Sequence, residues 1–127
     1  MTERNKILVV EDNDFVRMQI VTYLKEIDCA VTEASDGNAA LDHMAQDVFD
    51  LAIVDVRMEP MDGFEFIKAI RDDGMKTPVV LVTGDQTSDL LKMAGKWSVG
   101  AVLLKPVQKE RLQKTVLRTL ESNKRLA

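Results

Sequence analysis

Four short apolar runs constrain the fold of this chain more than any other feature of its sequence. They contain no polar residue, which is typical of parallel strands that are covered on both faces. A fifth run, Cys29–Ala34, mixes polar and apolar residues, as an edge strand does. The four apolar runs are Ile7–Val10, Leu51–Val54, Val79–Val82 and Ala101–Leu104.

Helical patterns fill the gaps between these runs. Apolar residues recur there at spacings of three and four, which predicts amphipathic helices. The five stripes begin at Val16, Ala39, Phe66, Leu90 and Leu112. Because strand and helix alternate five times, the sequence predicts an α/β domain with a parallel sheet and helices on both faces.

Length and composition limit the classes of protein to consider. The 127 residues correspond to one domain, and a single cysteine, Cys29, excludes an intrachain disulfide. No apolar stretch approaches the ~20 residues of a membrane helix, and the start of the chain lacks the apolar segment of a secretory signal. A formal net charge of −4 argues against nonspecific nucleic-acid binding. These features predict a cytoplasmic protein with no direct nucleic-acid or membrane partner.

Polar side chains follow four of the five runs, at the point where each strand is expected to end. Glu11 and Asp12 follow the first run, Asp55 the third, Thr83 the fourth and Lys105 the fifth. Because the carboxyl ends of parallel strands share one edge of a sheet, where ligands bind, we expect these side chains to converge.

Three converging carboxylates need a compensating charge. Two unit charges ~4 Å apart repel by about 4 kcal/mol at an effective dielectric of 20. Lys105 can offset one charge, and a hard divalent cation such as Mg²⁺ can offset more. A carboxylate, a metal, a hydroxyl and a lysine are together suited to phosphoryl transfer, with Asp55 as the nucleophile that forms an acyl phosphate.

At these residues the chain resembles the receiver domain of two-component response regulators, a CheY-like fold. The resemblance extends from Lys6 to about Leu120 and rests on the order and spacing of several segments. These are "ILVVEDN", "EASDGNAAL", "LAIVDVRMEPMDGFEFI", "PVVLVTG" and "LLKP". It implies a doubly wound five-stranded parallel sheet, flavodoxin/CheY-like, with strand order 2-1-3-4-5 and five helices, and a single receiver domain over residues 1–127.

The resemblance also implies a role for each site residue. Asp55 would accept a phosphoryl group from a histidine kinase or histidine phosphotransferase. Glu11, Asp12 and Asp55 would hold Mg²⁺ together with the backbone carbonyl of Arg57. The domain would catalyse its own phosphorylation and slow hydrolysis, which makes it a signalling switch or phosphorelay component rather than a conventional enzyme.

The remaining roles concern the switch. Thr83 would turn toward the phosphoryl group, and Lys105, before a usually cis Pro106, would neutralise phosphoryl charge. The response would change partner binding at the face formed by the fourth helix, fifth strand and fifth helix. The resemblance leaves the output protein or domain unidentified and allows a homodimer through this face.

The chain departs from the family pattern at three positions. Glu59 stands where the loop after the phosphoacceptor often has proline, which here is Pro60. Val102 stands where the fifth strand often carries the aromatic ring that moves with the hydroxyl switch. Val107 follows the Lys–Pro pair where Phe is frequent.

Three other functions fit parts of the sequence. An aspartate-dependent phosphatase usually needs a second aspartate two residues after the nucleophile, and Arg57 stands there. A flavin-binding module needs a phosphate loop rich in Ser, Thr and Gly after the first strand, where this chain has "EDND". A constitutive, phosphorylation-independent binding module is left open by Val102.

Local signals predict the helix starts and the environment of Lys105. Asn13 or Asp14 is expected to cap the first helix, and Asp62-Gly63 to begin the third. Burial of the Lys105 stem would require an anionic partner for its ammonium group.

Overall fold

Five parallel strands and five helices make up the computed structural model of this protein, which describes residues 4–84 and 88–126. The strand order is β2-β1-β3-β4-β5, so the predicted fold class and order are confirmed. The strands are β1 (Lys6–Val10), β2 (Ala30–Ala34), β3 (Leu51–Asp55), β4 (Val79–Thr83) and β5 (Ala101–Leu104). The helices are α1 (Asp14–Lys25), α2 (Gly37–Gln46), α3 (Gly63–Asp72), α4 (Ser88–Lys96) and α5 (Lys109–Leu126).

The sheet is covered on both faces, which explains why its strands lack alternation. Ile7 and Val9 of β1 pack against the buried face of α1 and α5. Leu8 and Val10 point the other way and pack with α2, α3 and α4. Each buried Leu or Ile contributes roughly 1.5–3 kcal/mol of transfer free energy. Among the helices that the structure describes, none is both long and apolar enough to cross a membrane.

Four strand boundaries differ by one residue from the runs in the sequence, and the first of these is β1, which begins at Lys6. The backbone N–H of Cys29 donates to Leu24 at the end of α1, so β2 begins at Ala30. Asp55 pairs with Val82 and Thr83 with Leu104, so these two polar residues are the last residues of their strands. The functional side chains at these positions are therefore held by the sheet and not by a loop.

Side-chain caps fix where helices α1 and α3 begin. Asn13, and not Asp14, caps α1, accepting a bond from the Val16 N–H at 3.0 Å. Asp62 caps α3 and forms a reciprocal capping box with Glu65, which confirms the predicted helix start. The short turns before α1 and α3 therefore have fixed directions.

The strand order reverses between β1 and β3, which are neighbours in the sheet. The chain leaves β1 toward β2 on one side and later returns to β3 on the other. A crevice opens at such a switch point, outside the carboxyl ends of the strands. Glu11 directly follows β1 and Asp55 ends β3, so both flank this crevice.

Candidate functional site

Three carboxylates meet at the carboxyl edge of the sheet, as the sequence predicts. Glu11, Asp12 and Asp55 each place one carboxylate oxygen within 4.8 Å of the other two. Glu11 and Asp55 are buried, whereas Asp12 is exposed. The cluster is therefore anchored in the protein on one side and open to solvent on the other.

Lys105 reaches back into this cluster. Its Nζ lies 3.0 Å from Glu11 Oε1 and 3.2 Å from Asp55 Oδ1. Burial alone would lower the pKa of the Lys105 ammonium, but hydrogen bonding and attraction from Glu11 and Asp55 outweigh burial and raise it. Lys105 is thus a fixed positive charge between two buried carboxylates, and the prediction of an anionic partner is confirmed.

The Glu11 carboxylate is buried beside Asp55 and Lys105. Burial, with the nearby Asp55 carboxylate, raises its pKa to about 7, although Lys105 and the Asn13 N–H act in the opposite direction. Oε1 has no hydrogen bond of good geometry among the described residues, despite its 3.0 Å ion pair with Lys105. A buried carboxylate oxygen that lacks a hydrogen bond favours a proton or an additional cation nearby.

Thr83 and Arg57 lie at the same edge. Thr83 ends β4 and is buried, and its carbonyl accepts a 2.8 Å bond from the Lys105 N–H. Arg57 is exposed two residues after Asp55. The fold therefore brings every predicted site residue to one edge of the sheet.

The donor set fits a hard divalent cation. Carboxylate oxygens of Glu11, Asp12 and Asp55, with a backbone carbonyl in the following loop, are ligands of the type that Mg²⁺ prefers. The unsatisfied Glu11 oxygen supports this fit. A pocket of about 410 Å³ adjoins Asp12. Its lining residues are Asp12, Val56, Arg57, Met58, Glu59, Pro60, Asp62 and Glu65.

Val102 and Val107 are two of the three positions at which the sequence departs from the family pattern. Val102 is half-buried and packs against the cluster formed by α2, α3 and α4. Val107 is buried against α1 and α5. The peptide bonds Glu59–Pro60 and Lys105–Pro106 are both cis, and the second agrees with what the resemblance implies.

Two residues that support the site were not identified from the sequence. Arg17 on α1 donates from Nη1 to the backbone carbonyl of Glu11 at 2.8 Å. Gly63 lies against the backbone of Asp55, so closely that a Cβ would stand 2.4 Å from the Asp55 carbonyl oxygen. Both are contacts between consecutive elements, β1 with α1 and β3 with α3, and residue spacing along the chain does not reveal how those elements pack.

Comparisons with known proteins agree with this geometry. The family model of the "Response regulator receiver domain" matches residues 7–117. The chain is 31% identical over 122 residues to "Regulatory protein AtoC" of Escherichia coli K12, covering 95% of this chain and 26% of that protein. It is 30% identical over 126 residues to "Sensory/regulatory protein RpfC" of Xanthomonas campestris, covering 96% of this chain and 17% of that protein. The chain thus spans about a quarter or less of the length of these two relatives.

A solved structure gives the same result for the fold. "Chemotaxis protein CheY4" of Vibrio cholerae superposes with a TM-score of 0.88 at 31% identity, covering 92% of this chain and 99% of that chain. The family match extends over most of the sequence, and the strand order and the acidic edge agree with it. The chain therefore belongs to the response regulator receiver domain family of two-component signal transduction.

Proposed function

We propose that this receiver domain is a phosphorylation switch in which Asp55 accepts a phosphoryl group. The observation that carries the proposal is the meeting of three carboxylates within 4.8 Å, with Lys105 contacting two of them. Asp55 is 4% exposed and ends a central strand, so its carboxylate is held rigidly at the sheet edge. A rigid carboxylate beside a fixed cation is well placed for in-line attack on phosphorus.

The proposed transfer moves one phosphoryl group. An Asp55 carboxylate oxygen forms a bond to phosphorus as the bond from phosphorus to the histidine nitrogen of the donor breaks. The donor imidazole leaves with the bond's electron pair and takes up a proton. Water later attacks the phosphorus of the acyl phosphate, which releases inorganic phosphate and regenerates the carboxylate. Lys105 offsets the charge that accumulates on the phosphoryl oxygens.

Glu11, Asp12 and Asp55, with the backbone carbonyl of Arg57, would hold Mg²⁺ in this proposal. The bound cation would supply electrostatic stabilisation of the phosphoryl oxygens. The charge of the cluster supports this assignment, since Lys105 balances one carboxylate and the others need a further cation. Binding of the cation would lower the raised pKa of the Glu11 carboxyl, which would then ionise.

The response would spread from the site through Thr83 and Lys105. Thr83 is the last residue of β4 and Lys105 directly follows β5. The Lys105 N–H donates a hydrogen bond to the Thr83 carbonyl. A shift of these residues toward the phosphoryl group would bias the α4-β5-α5 face between two states. One exposed leucine on each of these elements supports the face as a binding surface: Leu91, Leu104 and Leu117.

The partners would be a histidine kinase or histidine phosphotransferase and an output protein or domain that reads this face. Similarity to "CAI-1 autoinducer sensor kinase/phosphatase CqsS" of Vibrio cholerae, 28% identical over 108 residues, supports a kinase partner. A homodimer through the α4-β5-α5 face, a cytoplasmic location and a single receiver domain over residues 1–127 remain predictions. Sedimentation velocity before and after phosphorylation tests the dimer.

Intact-protein mass spectrometry tests the proposal. The protein is incubated with Mg²⁺ and acetyl phosphate, and we expect an alkali-labile gain of one phosphoryl group. Asp55→Asn removes the gain, whereas Asp42→Asn, at an exposed position on α2, leaves it unchanged. Absence of any gain supports the constitutive binding module, and turnover of many phosphate esters supports a phosphatase. A gain that survives in Asp55→Asn contradicts the assignment of the acceptor.

A further inference from the structure

Arg17 contacts the backbone next to the acidic cluster, without contacting the three carboxylates. Its Nη1 donates to the carbonyl oxygen of Glu11 at 2.8 Å. That carbonyl belongs to the peptide unit that joins Glu11 to Asp12. The direction of this peptide plane therefore sets where the Cα atom of Asp12 lies, and with it the reach of its carboxylate.

The guanidinium of Arg17 is itself held in place. Nη2 donates to Asp14 Oδ1 at 2.7 Å and Nε donates to Glu33 Oε1 at 3.1 Å. The Arg17 side chain is 17% exposed, and the bonds to Asp14 and Glu33 raise its pKa although burial opposes them. A planar fork of donors thus connects the start of α1, strand β2 and the end of β1.

The other side of Glu11 is fixed as well. Its backbone N–H donates to the Ala34 carbonyl at 3.1 Å, and its Oε2 accepts from the Asn13 N–H at 3.2 Å. The Arg17 bond is the contact that fixes the following peptide plane. Without the Arg17 bond, the hydrogen bonds of the Glu11 and Asn13 N–H groups would remain. The peptide plane between Glu11 and Asp12 would then be free to rotate.

We infer that Arg17 is a positioning residue for the divalent-cation site. By holding the Glu11 carbonyl, it aligns the carboxylates of Glu11 and Asp12 toward Asp55, so that the cation meets a preformed ligand set. This inference rests on the proposed function, because it concerns the same site. Residues that orient metal ligands through hydrogen bonds typically change metal affinity 10- to 100-fold when replaced.

Arg17 acts through the position of its hydrogen-bond donors and not through its positive charge. Asp14 and Glu33 both neutralise the guanidinium, whereas Lys105 is the cation that contacts the cluster. Arg17→Lys keeps the positive charge but loses the fork that reaches two carboxylates and a carbonyl together. The Lys variant therefore separates alignment of the ligands from simple electrostatics.

Backbone-amide NMR titration with Mg²⁺ measures the cation affinity directly, without phosphorylation. We expect the dissociation constant to rise about tenfold in Arg17→Lys, equivalent to about 1.4 kcal/mol. Glu33→Ala, at an exposed position, removes one anchor of the guanidinium and should raise the Mg²⁺ dissociation constant two- to threefold. Asp12→Asn serves as the variant that loses a ligand. Arg71→Lys, at a half-buried arginine that binds only backbone carbonyls among the described residues, is the matched control with unchanged affinity.

Phosphorylation by acetyl phosphate gives the second readout. In Arg17→Lys the Mg²⁺ concentration for half-maximal rate should rise with the dissociation constant, while the rate at saturating Mg²⁺ stays within about twofold of the unmodified protein. Equal Mg²⁺ affinity in Arg17→Lys and the unmodified protein, with only lower stability, overturns the inference. If Arg17→Lys fails to fold, unchanged affinity in Glu33→Ala overturns it. If the unmodified protein and Asp12→Asn show the same absence of saturable binding, the cation site itself is wrong, and the inference falls with it.

Discussion

A Cβ atom added to Gly63 would lie 2.4 Å from the backbone carbonyl oxygen of Asp55. Gly63 is the first residue of α3, and its N–H donates to the Val56 carbonyl at 2.9 Å. The helix start therefore rests directly on the end of β3. Only a residue without a side chain permits this approach, so the strand that carries Asp55 and the helix that follows are packed as one unit.

Gly63→Ala should disturb this packing. Because backbone atoms cannot move aside as a flexible side chain can, we expect a loss of about 1–3 kcal/mol in the free energy of unfolding. The rate of phosphorylation by acetyl phosphate should fall as well, since Asp55 must shift. Gly95→Ala is the control, because a Cβ there meets nothing within 4 Å, and it should raise stability by up to about 1 kcal/mol. Equal urea midpoints for the two variants would contradict the packing argument.

The raised pKa of Glu11 predicts how stability depends on pH without metal. Between pH 4.5 and 7 the folded Glu11 holds a proton that the unfolded chain has released, so stability falls as pH rises through this window. Urea unfolding in EDTA should show a loss of about 1–3 kcal/mol across that range. Glu11→Gln should flatten the dependence, and saturating Mg²⁺ should reduce it. A curve unchanged by Glu11→Gln would show that another group is responsible.

Lys105→Met removes the cation that Glu11 and Asp55 share. Without metal at pH 8 we expect a loss of about 1–3 kcal/mol in the free energy of unfolding, because solvent screens part of the attraction of the 27% exposed Lys105 side chain. The loss should be smaller at pH 5, where a proton on Glu11 relieves the repulsion. Lys68→Met is the control, since its ion pair with Asp72 is more than half exposed, and it should change stability by less than about 0.5 kcal/mol. A loss that is the same at both pH values would argue against repulsion as its cause.

Arg71 stabilises the opposite end of the fold. Its guanidinium donates to the carbonyls of Trp97, Met75 and Thr77 at 2.8–3.1 Å, and burial lowers its pKa. Arg71→Gln leaves several of these carbonyls without a donor and should cost about 2–4 kcal/mol. Trp97, the only tryptophan in the sequence, reports the unfolding by fluorescence. The exposed Arg111→Gln should have an effect below about 0.5 kcal/mol, and similar losses for both variants would contradict the account.

Much of the fold follows from the sequence because burial leaves a local signature. Strands covered on both faces have no polar positions, so runs such as Leu51–Val54 can be recognised directly. The strand order came from the resemblance and not from periodicity. The ends of strands were less predictable, because pairing extends β3 to Asp55 and the helix-terminal bond of Cys29 delays β2. The first and last residues of a strand depend on backbone hydrogen bonds, which residue type does not specify.

The convergence of the site was also predictable, because the carboxyl ends of parallel strands share an edge. The supporting contacts were not. Arg17 and Asp14, three residues apart on a helix, predict an ion pair, but the bond from Arg17 to the Glu11 carbonyl depends on how α1 packs on β1 and β2. The approach of Gly63 to Asp55 likewise depends on the path of the loop between β3 and α3.

Locating the covalent phosphate tests the central claim most directly. After incubation with Mg²⁺ and acetyl phosphate, borohydride reduction converts a phosphorylated aspartate to homoserine, a stable mark for peptide sequencing. Trypsin releases residues 26–57 as one peptide, which contains six aspartates and ends in Asp55, Val56 and Arg57. The account predicts that the mass change lies within the last three residues of this peptide and requires Mg²⁺. A mark on any other aspartate, or none at Asp55 under conditions that phosphorylate another receiver domain, would contradict it.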